Sequence, residues 1–417
     1  MPQRPFAASP RLSEVRYEIR GELAHRAREL ETKGHQILRL NIGNPGVYGF
    51  TVPGHLREAL ANNLGRSEAY CVEQGLSEAR AAIVAQQRAR GAPNVTVETT
   101  FIGNGVSELI DIALRALLAP GEEVLVPSPD YPLWTASTIL NGGTAVHYPC
   151  SADNGFLPDP DALEAQITPR TRALVVINPN NPTGAVYPRA LLERIAAIAT
   201  RHRLVLMCDE IYDQVLYDDA EFVPMAKLAP DTLVLSLGGL SKVHRACGYR
   251  VGWLTASGDI KHAAEYLHGL VLLAALRLCS NVTAQWAIVP ALTGPDTISA
   301  LTGPAGRLHE SRRAVLDAVA RSRFLSVAKP QGALYAFPGI DTTRTGPIDD
   351  YALALELLET EQVLLVPGSS FNVPYRNHFR VTLLPPAPMI VDVFGRIERV
   401  LERHAAQLDG KRQAAVA

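Results

Sequence analysis

The chain has 417 residues, 47% of them hydrophobic and 20% charged, with a formal net charge of -2. That balance fits a soluble globular protein of roughly two to three domains. It supplies no global basic field that would recruit nucleic acid or an anionic membrane.

The N-terminus, Met1-Pro2-Gln3-Arg4-Pro5, runs into charged sequence without an apolar core, so no secretory signal is expected. Arg11 to Gly34 reads as an arm leading into an amphipathic helix, with Leu23, Ala27 and Leu30 at helical spacing. From about Val52 to about Leu301 strands and helices alternate. Apolar runs at Glu123–Pro127, Ala173–Ile177, Leu204–Met207 and Leu233–Leu237 predict strands. Leu191, Leu192, Ile195 and Ile198 line one side of a helix over Arg189–His202. Buried strands alternating with helices predict a mostly parallel sheet covered on both faces. The run Gly269–Leu276 stops at Arg277, is too short to span a bilayer, and reads as a buried helix. Proline and glycine cluster around residues 294–306 and mark a boundary. Beyond it, Val315, Leu316 and Val319 share a helix face. Ser326-Val327-Ala328 and the alternating stretch Gly332–Phe337 predict antiparallel strands, and a closing helix runs near Met389–Ala405. This is a smaller α+β domain.

In an open parallel sheet, ligands bind beyond the carboxyl ends of the strands. Asn181, Asp209 and Lys242 each follow an apolar run closely, so polar residues from separate strands converge on one rim. Asn, Asp and Gly also end strands as ordinary turn residues; the combination is what points to a site. In Gly238-Gly239-Leu240-Ser241-Lys242 a glycine turn precedes the lysine, and Arg250 follows eight residues later. That order suits a lysine beside a bound phosphate, whose amine can form a Schiff base with a carbonyl cofactor. Gly103-Asn104-Gly105-Val106-Ser107-Glu108 precedes an apolar helix through Leu117 and offers a phosphate backbone N–H groups. It lacks the third glycine of a dinucleotide fingerprint, and the chain has no Walker motif. Arg250 would add a bidentate charged contact to the phosphate. Arg380, in His378-Phe379-Arg380-Val381-Thr382, offers the planar fork that suits a carboxylate. Cys71, Cys150, Cys208, Cys247 and Cys279 form no Cys-x-x-Cys pair, which argues for a reducing cytosol and against a zinc site.

Asn178-Pro179-Asn180-Asn181-Pro182-Thr183-Gly184, Cys208-Asp209-Glu210-Ile211-Tyr212, Ser241-Lys242, Arg250 and Arg380 stand in a fixed order. With that order the chain resembles the class I/II aminotransferases, fold-type I enzymes that use pyridoxal phosphate. The resemblance runs from Asn41-Ile42-Gly43-Asn44-Pro45 to Arg380. It implies an α/β fold-type I architecture, with a large cofactor-binding domain over 52–301 and a small α+β domain over 302–417. The arm and helix of residues 1–51 would pack with the small domain. The resemblance makes Lys242 the cofactor-linked lysine and Asp209 the partner of the pyridine nitrogen. Tyr212 and Asn181 would donate to the phenolic oxygen, and an Asn181–Pro182 cis peptide would aim that Asn into the site. Gly105, Val106, Ser107, Ser241 and Arg250 would hold the phosphate, and Tyr131 would stack on the ring. Tyr70 matches a tyrosine that reaches the phosphate of the neighbouring subunit, which implies a homodimer with shared sites. Arg380 and Gly43 would bind the substrate α-carboxylate. One departure stands out: related aspartate aminotransferases carry a serine three residues before the lysine, where this chain has Gly239.

The stretches Gly103–Ile110, Asp130–Thr135, Asn178–Tyr187, Asp209–Asp213 and Arg277-Leu278-Cys279 are similar to those of bacterial glutamate–pyruvate (alanine) aminotransferases. That resemblance implies a cytoplasmic enzyme with ping-pong transfer between an L-amino acid and a 2-oxo acid. Alanine and 2-oxoglutarate, giving pyruvate and glutamate, are the expected pair. Within Tyr17-Glu18-Ile19-Arg20-Gly21, Arg20 would bind the distal carboxylate of glutamate with Tyr17 beside it; a solvated arm is the other reading. A specialist biosynthetic aminotransferase, or a C–S lyase or decarboxylase of the same fold, would share Lys242 and Asp209. A cofactor-sensing regulator would need a DNA-binding extension, and no basic helix-turn-helix pattern is present.

Overall fold

Residues 6–16, 19 and 21–416 are described by the computed structural model. The helix Glu22–Thr32 buries Leu23, Ala24, Ala27 and Leu30 on one stripe, as a helix does where a single face meets a core. Strand β1 (Leu38–Arg39) pairs in parallel with Val363–Leu364. The start of the chain is thereby tied to its last third.

The middle of the chain builds one seven-stranded sheet. Its strands are β2 (Thr100–Gly103), β3 (Glu123–Ser128), β4 (Thr144–Pro149), β5 (Thr171–Ile177), β6 (Val205–Asp209), β7 (Leu233–Gly239) and β8 (Gly252–Gly258). Their spatial order is β2-β8-β7-β6-β5-β3-β4. The strands from β7 to β4 run parallel, and β8 is antiparallel to both its neighbours. The four predicted apolar runs are the adjacent central strands β3, β5, β6 and β7. Alternate side chains enter opposite layers. Leu174, Val176, Leu206 and Cys208 pack on one side, and Ala173, Val175, Ile177 and Met207 on the other. The helix Arg189–Arg201 covers the first layer through Leu192, Ile195 and Ile198. The helix Val106–Leu117 covers the second through Leu109, Ile110 and Leu114.

One helix differs from its prediction. Ala264–Leu276 buries Leu270 and Ala274, but Leu272 is 54% exposed and Leu276 74%. It is not a buried helix in the single chain, because nothing among the described residues covers its outer apolar face.

The last third carries short strands between helices: β9 (Leu325–Ser326), β10 (Tyr335–Ala336), β11 (Gly339–Ile340), β12 (Val363–Leu364), β13 (Val366–Pro367) and β14 (Phe379–Thr382). They pair as β10-β14-β13 and β11-β9, both antiparallel. The helices Arg307–Arg321, Asp350–Glu361 and Ala387–Val416 pack over them. Their shared core joins Leu23, Ala27 and Leu30 to Val315, Leu357, Ile390 and Ile397. Among the described residues, no helix is long and apolar enough to cross a membrane.

Candidate active site

Sheet register brings the predicted polar residues to one edge. Ile177 lies opposite Asp209, and Asp209 opposite Leu237. The chain leaves the three strands at the same level: Asn178 N–H donates to the Asp209 carbonyl at 3.1 Å and Glu210 N–H to that of Leu237 at 2.9 Å. After β5 the backbone is held by its own side chains. Asn178 Oδ1 accepts from Tyr187 N–H at 2.9 Å, and Asn180 Oδ1 accepts from the Thr183 hydroxyl at 2.8 Å. The Asn181–Pro182 peptide is cis, as the sequence reading anticipates, and so is Asn178–Pro179.

Lys242 Nζ donates to the Gly43 carbonyl at 2.8 Å and lies 3.9 Å from Cys247 Sγ. Gly43 accepts through its carbonyl here, which leaves its backbone N–H for the expected carboxylate contact. A side chain at Gly43 would collide with the Tyr335 hydroxyl. That hydroxyl accepts from the Tyr212 hydroxyl at 3.2 Å, and the two rings meet edge-on at 6.0 Å. Burial raises the Tyr212 phenol well above its ordinary range. At Tyr335 burial acts the same way, but Lys242, Arg380 and the Tyr212 hydrogen bond outweigh it and lower the pKa.

Arg380 is only 1% exposed. Its guanidinium donates to Asn181 Oδ1 at 2.9 Å and to the Asn41 carbonyl at 2.6 Å. The rings of Tyr335 and Phe371 lie 4.2 and 4.9 Å from it, giving it aromatic company. Its Nε is buried without a partner, and no ion pair among the described residues includes it. A buried cation with only neutral acceptors is costly unless an anion joins it.

Asp209 ends β6 and is buried. Trp134 Nε1 donates to one carboxylate oxygen and Ile211 N–H to the other, each at 3.3 Å. Burial pushes its pKa up to about 6, although those two bonds and the Lys242 charge act against the rise.

The glycine loop after β2 lies against Arg250. Gly105 has φ +86 and precedes the helix Val106–Leu117, whose first turn has no side-chain cap. A Cβ at Gly105 would strike the Arg250 guanidinium. Arg250 donates to the Cys247 carbonyl at 3.0 Å and to that of Asn104 at 3.2 Å. Glu108 fixes Asn104 through its backbone N–H at 2.7 Å and its side-chain amide at 3.0 Å. Arg277 in turn pairs with Glu108 at 3.2 Å. Ser107 and Ser241 are half-buried nearby in sequence. The departure at Gly239 has a steric reason. A Cβ there would stand 2.8 Å from the Val251 carbonyl oxygen and 3.0 Å from Gly252 Cα. The close β7–β8 contact leaves no room for a serine.

Tyr335 thus links Tyr212 to the Lys242–Gly43 pair and to the Arg380–Asn181 pair, with Asp209 at the same rim. Gly105, Val106 and Arg250 form the adjoining cradle. Tyr131 is half-buried where two layers of the core meet. Tyr70 stands apart: it is 78% exposed. Tyr17 and Arg20 lie outside the described residues. Their neighbour Ile19 is buried, and its carbonyl accepts from the Asn41 side chain at 3.1 Å. Trp134, Tyr335, Asn41 and Phe371 received no role from the sequence. Trp134 and Asn41 do lie in stretches that carry the resemblance, Asp130–Thr135 and Asn41–Pro45, and Trp134 sits on the helix Leu133–Leu140.

A family model described as aminotransferase class I and II matches residues 35–390. The chain is 49% identical over 381 residues to glutamate-pyruvate aminotransferase AlaA of Escherichia coli (strain K12), covering 91% of this chain and 94% of that protein. It is 48% identical over 384 residues to alanine aminotransferase of Mycobacterium tuberculosis (strain ATCC 25618 / H37Rv), covering 92% and 90%. A crystal structure of an aminotransferase from Escherichia coli superposes with a TM-score of 0.94 at 47% identity, over 96% of this chain and 99% of that one. The mostly parallel, helix-covered sheet is accordingly the fold-type I architecture. On sequence and fold together, the chain belongs to the aminotransferase class I and II family.

Proposed function

We propose that this aminotransferase uses pyridoxal phosphate to exchange amino groups between alanine and 2-oxoglutarate, giving pyruvate and glutamate. The observation that carries the reading is the buried Arg380, held beside the Lys242–Gly43–Tyr335 cluster without an ion pair among the described residues. The relatives named for glutamate–pyruvate and alanine transfer support the choice of substrates.

The residues fit the cofactor on two counts. Gly105 lets the backbone lie directly against the Arg250 guanidinium, where a Cβ would collide, at the start of a helix without a side-chain cap. Asp209 is a buried carboxylate whose pKa burial pushes up to about 6, against two hydrogen bonds and the Lys242 charge, so a cationic partner would favour its ionised form. When bound, pyridoxal phosphate supplies a carbonyl carbon that exchanges amines and a cationic ring that draws electrons from the substrate Cα. Arg250, Gly105, Val106, Ser107 and Ser241 would hold its phosphate. Asp209 would keep its ring nitrogen protonated, and Tyr131 would stack on the ring. Asn181 spends its oxygen on Arg380 and keeps its NH2 group to donate, beside Tyr212, to the phenolic oxygen. Lys242 is the general base that takes the proton from the substrate Cα. Arg380 binds the α-carboxylate through its planar fork.

The active form is a homodimer in which Tyr70 of each protomer serves the site of the other. Tyr70, Val72, Leu272, Leu276 and Leu278 are exposed apolar groups. Cys71 and Ser280 share the amide of Gln285, which sets the two exposed segments side by side. Residues 52–301 and 302–417 form the two domains, with residues 1–51 packed on the second. The five free cysteines agree with a cytoplasmic location.

The test is a half-reaction screen. Cofactor-loaded protein is mixed with each amino acid, and loss of the cofactor absorbance band is followed. Alanine and glutamate should react fastest, with pyruvate and 2-oxoglutarate as products. A slow response to both, beside a fast one to another amino acid, would overturn the substrate assignment.

A further inference from the structure

Asp130 is fully buried, follows β3, and has no part in the chemistry above. Its contacts reach far along the chain. Asn372 Nδ2 donates to its Oδ1 at 2.9 Å, from a residue 242 positions away. Its backbone N–H donates to the Phe371 carbonyl at 3.1 Å. The Ser128 hydroxyl adds a bond to the Asn372 carbonyl at 2.8 Å. Three bonds thus fasten the loop after β3 to the Phe371–Asn372 turn. Asn372 has φ +54, a left-handed conformation that Asn tolerates better than most residues.

The other oxygen of Asp130 accepts from the Thr135 hydroxyl. Thr135 has one hydrogen to give, so His147 Nε2, 2.9 Å from the same oxygen, must be the donor there. Burial lowers the His147 pKa and favours its neutral ring. Asp130 therefore accepts on both oxygens, and its position is set from both sides. What it holds is Phe371. That ring is fully buried, lies 4.9 Å from the Arg380 guanidinium, and meets Phe337 edge-on at 5.7 Å.

We propose that Asp130 is a positioning residue for substrate recognition: by fastening Phe371 and Asn372, it holds the Phe371 ring against Arg380 and keeps that guanidinium placed for the substrate carboxylate. The proposal rests on the reading of Arg380 as the carboxylate-binding group. A buried Asp–Asn staple with no bearing on Arg380 is the competing account, and the two separate by experiment.

The full-length, cofactor-loaded protein is titrated with propionate, a carboxylate that lacks the amine and cannot react. Cofactor affinity and the thermal midpoint are measured in parallel. Asp130→Ala should weaken propionate at least tenfold and raise KM for alanine by a similar factor, with kcat within about threefold. Its cofactor affinity should stay within about twofold. Asp130→Asn, which keeps the size and one acceptor oxygen, should recover most of the loss. Phe371→Leu should weaken propionate too, and combining it with Asp130→Ala should add little, because both act on one contact. Unchanged propionate affinity in Asp130→Ala, or fully additive losses with Phe371→Leu, overturns the proposal. So does a fall in cofactor affinity as large as the fall in propionate affinity. If Asp130→Ala does not fold, Asn372→Ala removes the same bond from the other side and is judged by the same criteria. Arg380→Leu separates the two levels. If it leaves propionate binding intact, the reading of Arg380 fails; if it alone weakens propionate, only the role of Asp130 falls.

Discussion

Lys242 Nζ rests on the carbonyl oxygen of Gly43, 2.8 Å away, and on no carboxylate among the described ion pairs. The Gly43 carbonyl, with the Cys247 sulfur 3.9 Å away, holds the amine in place without an ion-pair contact among the described residues. Lys242→Ala should abolish turnover. Noncovalent cofactor binding should survive, because the Gly105–Arg250 cradle does not involve Lys242. Borohydride reduction of the loaded native protein, followed by peptide mapping, should place the label on Lys242. A label on another lysine would remove Lys242 from its role.

Asp209 predicts a pH dependence with a definite sign. Its pKa in the folded chain is about 6, above the roughly 3.9 of an unfolded Asp. The cofactor-free fold thus binds the extra proton, and this group's contribution to stability is lost as pH rises from about 4 through 6. Binding a cationic ring nitrogen has the opposite demand, since it needs the carboxylate ionised. Cofactor affinity should accordingly tighten as pH rises through about 6, apart from any titration of the phosphate itself. Asp209→Asn removes this component. Parallel affinity curves for native and variant protein across pH 5 to 8 would show that Asp209 does not face the ring.

The exposed face of the helix Ala264–Leu276 makes a prediction about assembly. Leu276 is 74% exposed with Leu272 and Leu278 near it in sequence. Burying a leucine side chain is worth about 1.5–3 kcal/mol, and a two-fold contact counts each residue twice. Leu276→Glu should shift the protein toward monomer in sedimentation and lower activity in proportion to the dimer lost. A variant that stays dimeric and fully active would place the interface elsewhere.

How far such residues are legible depends on how local their reasons are. Lys242, Asp209 and Asn181 are readable because each ends a continuous apolar run, and central parallel strands are apolar on both faces. Strand β8 is not readable: Gly252, Thr255 and Ser257 dilute its pattern, although it is buried throughout. Leu272 and Leu276 look like core in sequence because an apolar helix reads the same whether its own chain or a second one covers it. Trp134 and Asp130 have partners 75 and 242 residues away, so their roles exist only once the sheet and the last third of the chain are assembled. Gly239 shows the same limit. Its departure from serine is unintelligible until Val251 is seen beside it.

Asp218 provides the last prediction, one of stability. It binds Arg312 at 2.7 Å, Lys329 at 2.7 Å and His309 at 3.3 Å, joining the Tyr217 segment to the helix Arg307–Arg321. The Arg312 bond, then that of Lys329, holds the Asp218 carboxyl well below the usual carboxylate range, against a smaller opposing effect of burial. The Asp218 side chain is 35% exposed, so solvent screens much of the Coulomb gain. The Arg312 side chain is only 3% exposed. Replacing the carboxylate by an amide would leave that cation with neutral acceptors only, among them the Pro330 carbonyl at 2.6 Å. Asp218→Asn should therefore cost roughly 1–2 kcal/mol at neutral pH, in the range of a charged hydrogen bond. The sign with pH follows from a depressed folded pKa. The stabilisation is present above the unfolded value near 4 and is lost as pH falls below it. The gap in denaturant midpoint between native and variant protein should be widest near pH 7 and close progressively below about pH 4. A gap that stayed constant down to pH 3 would mean that the charge on Asp218 is not what joins these segments.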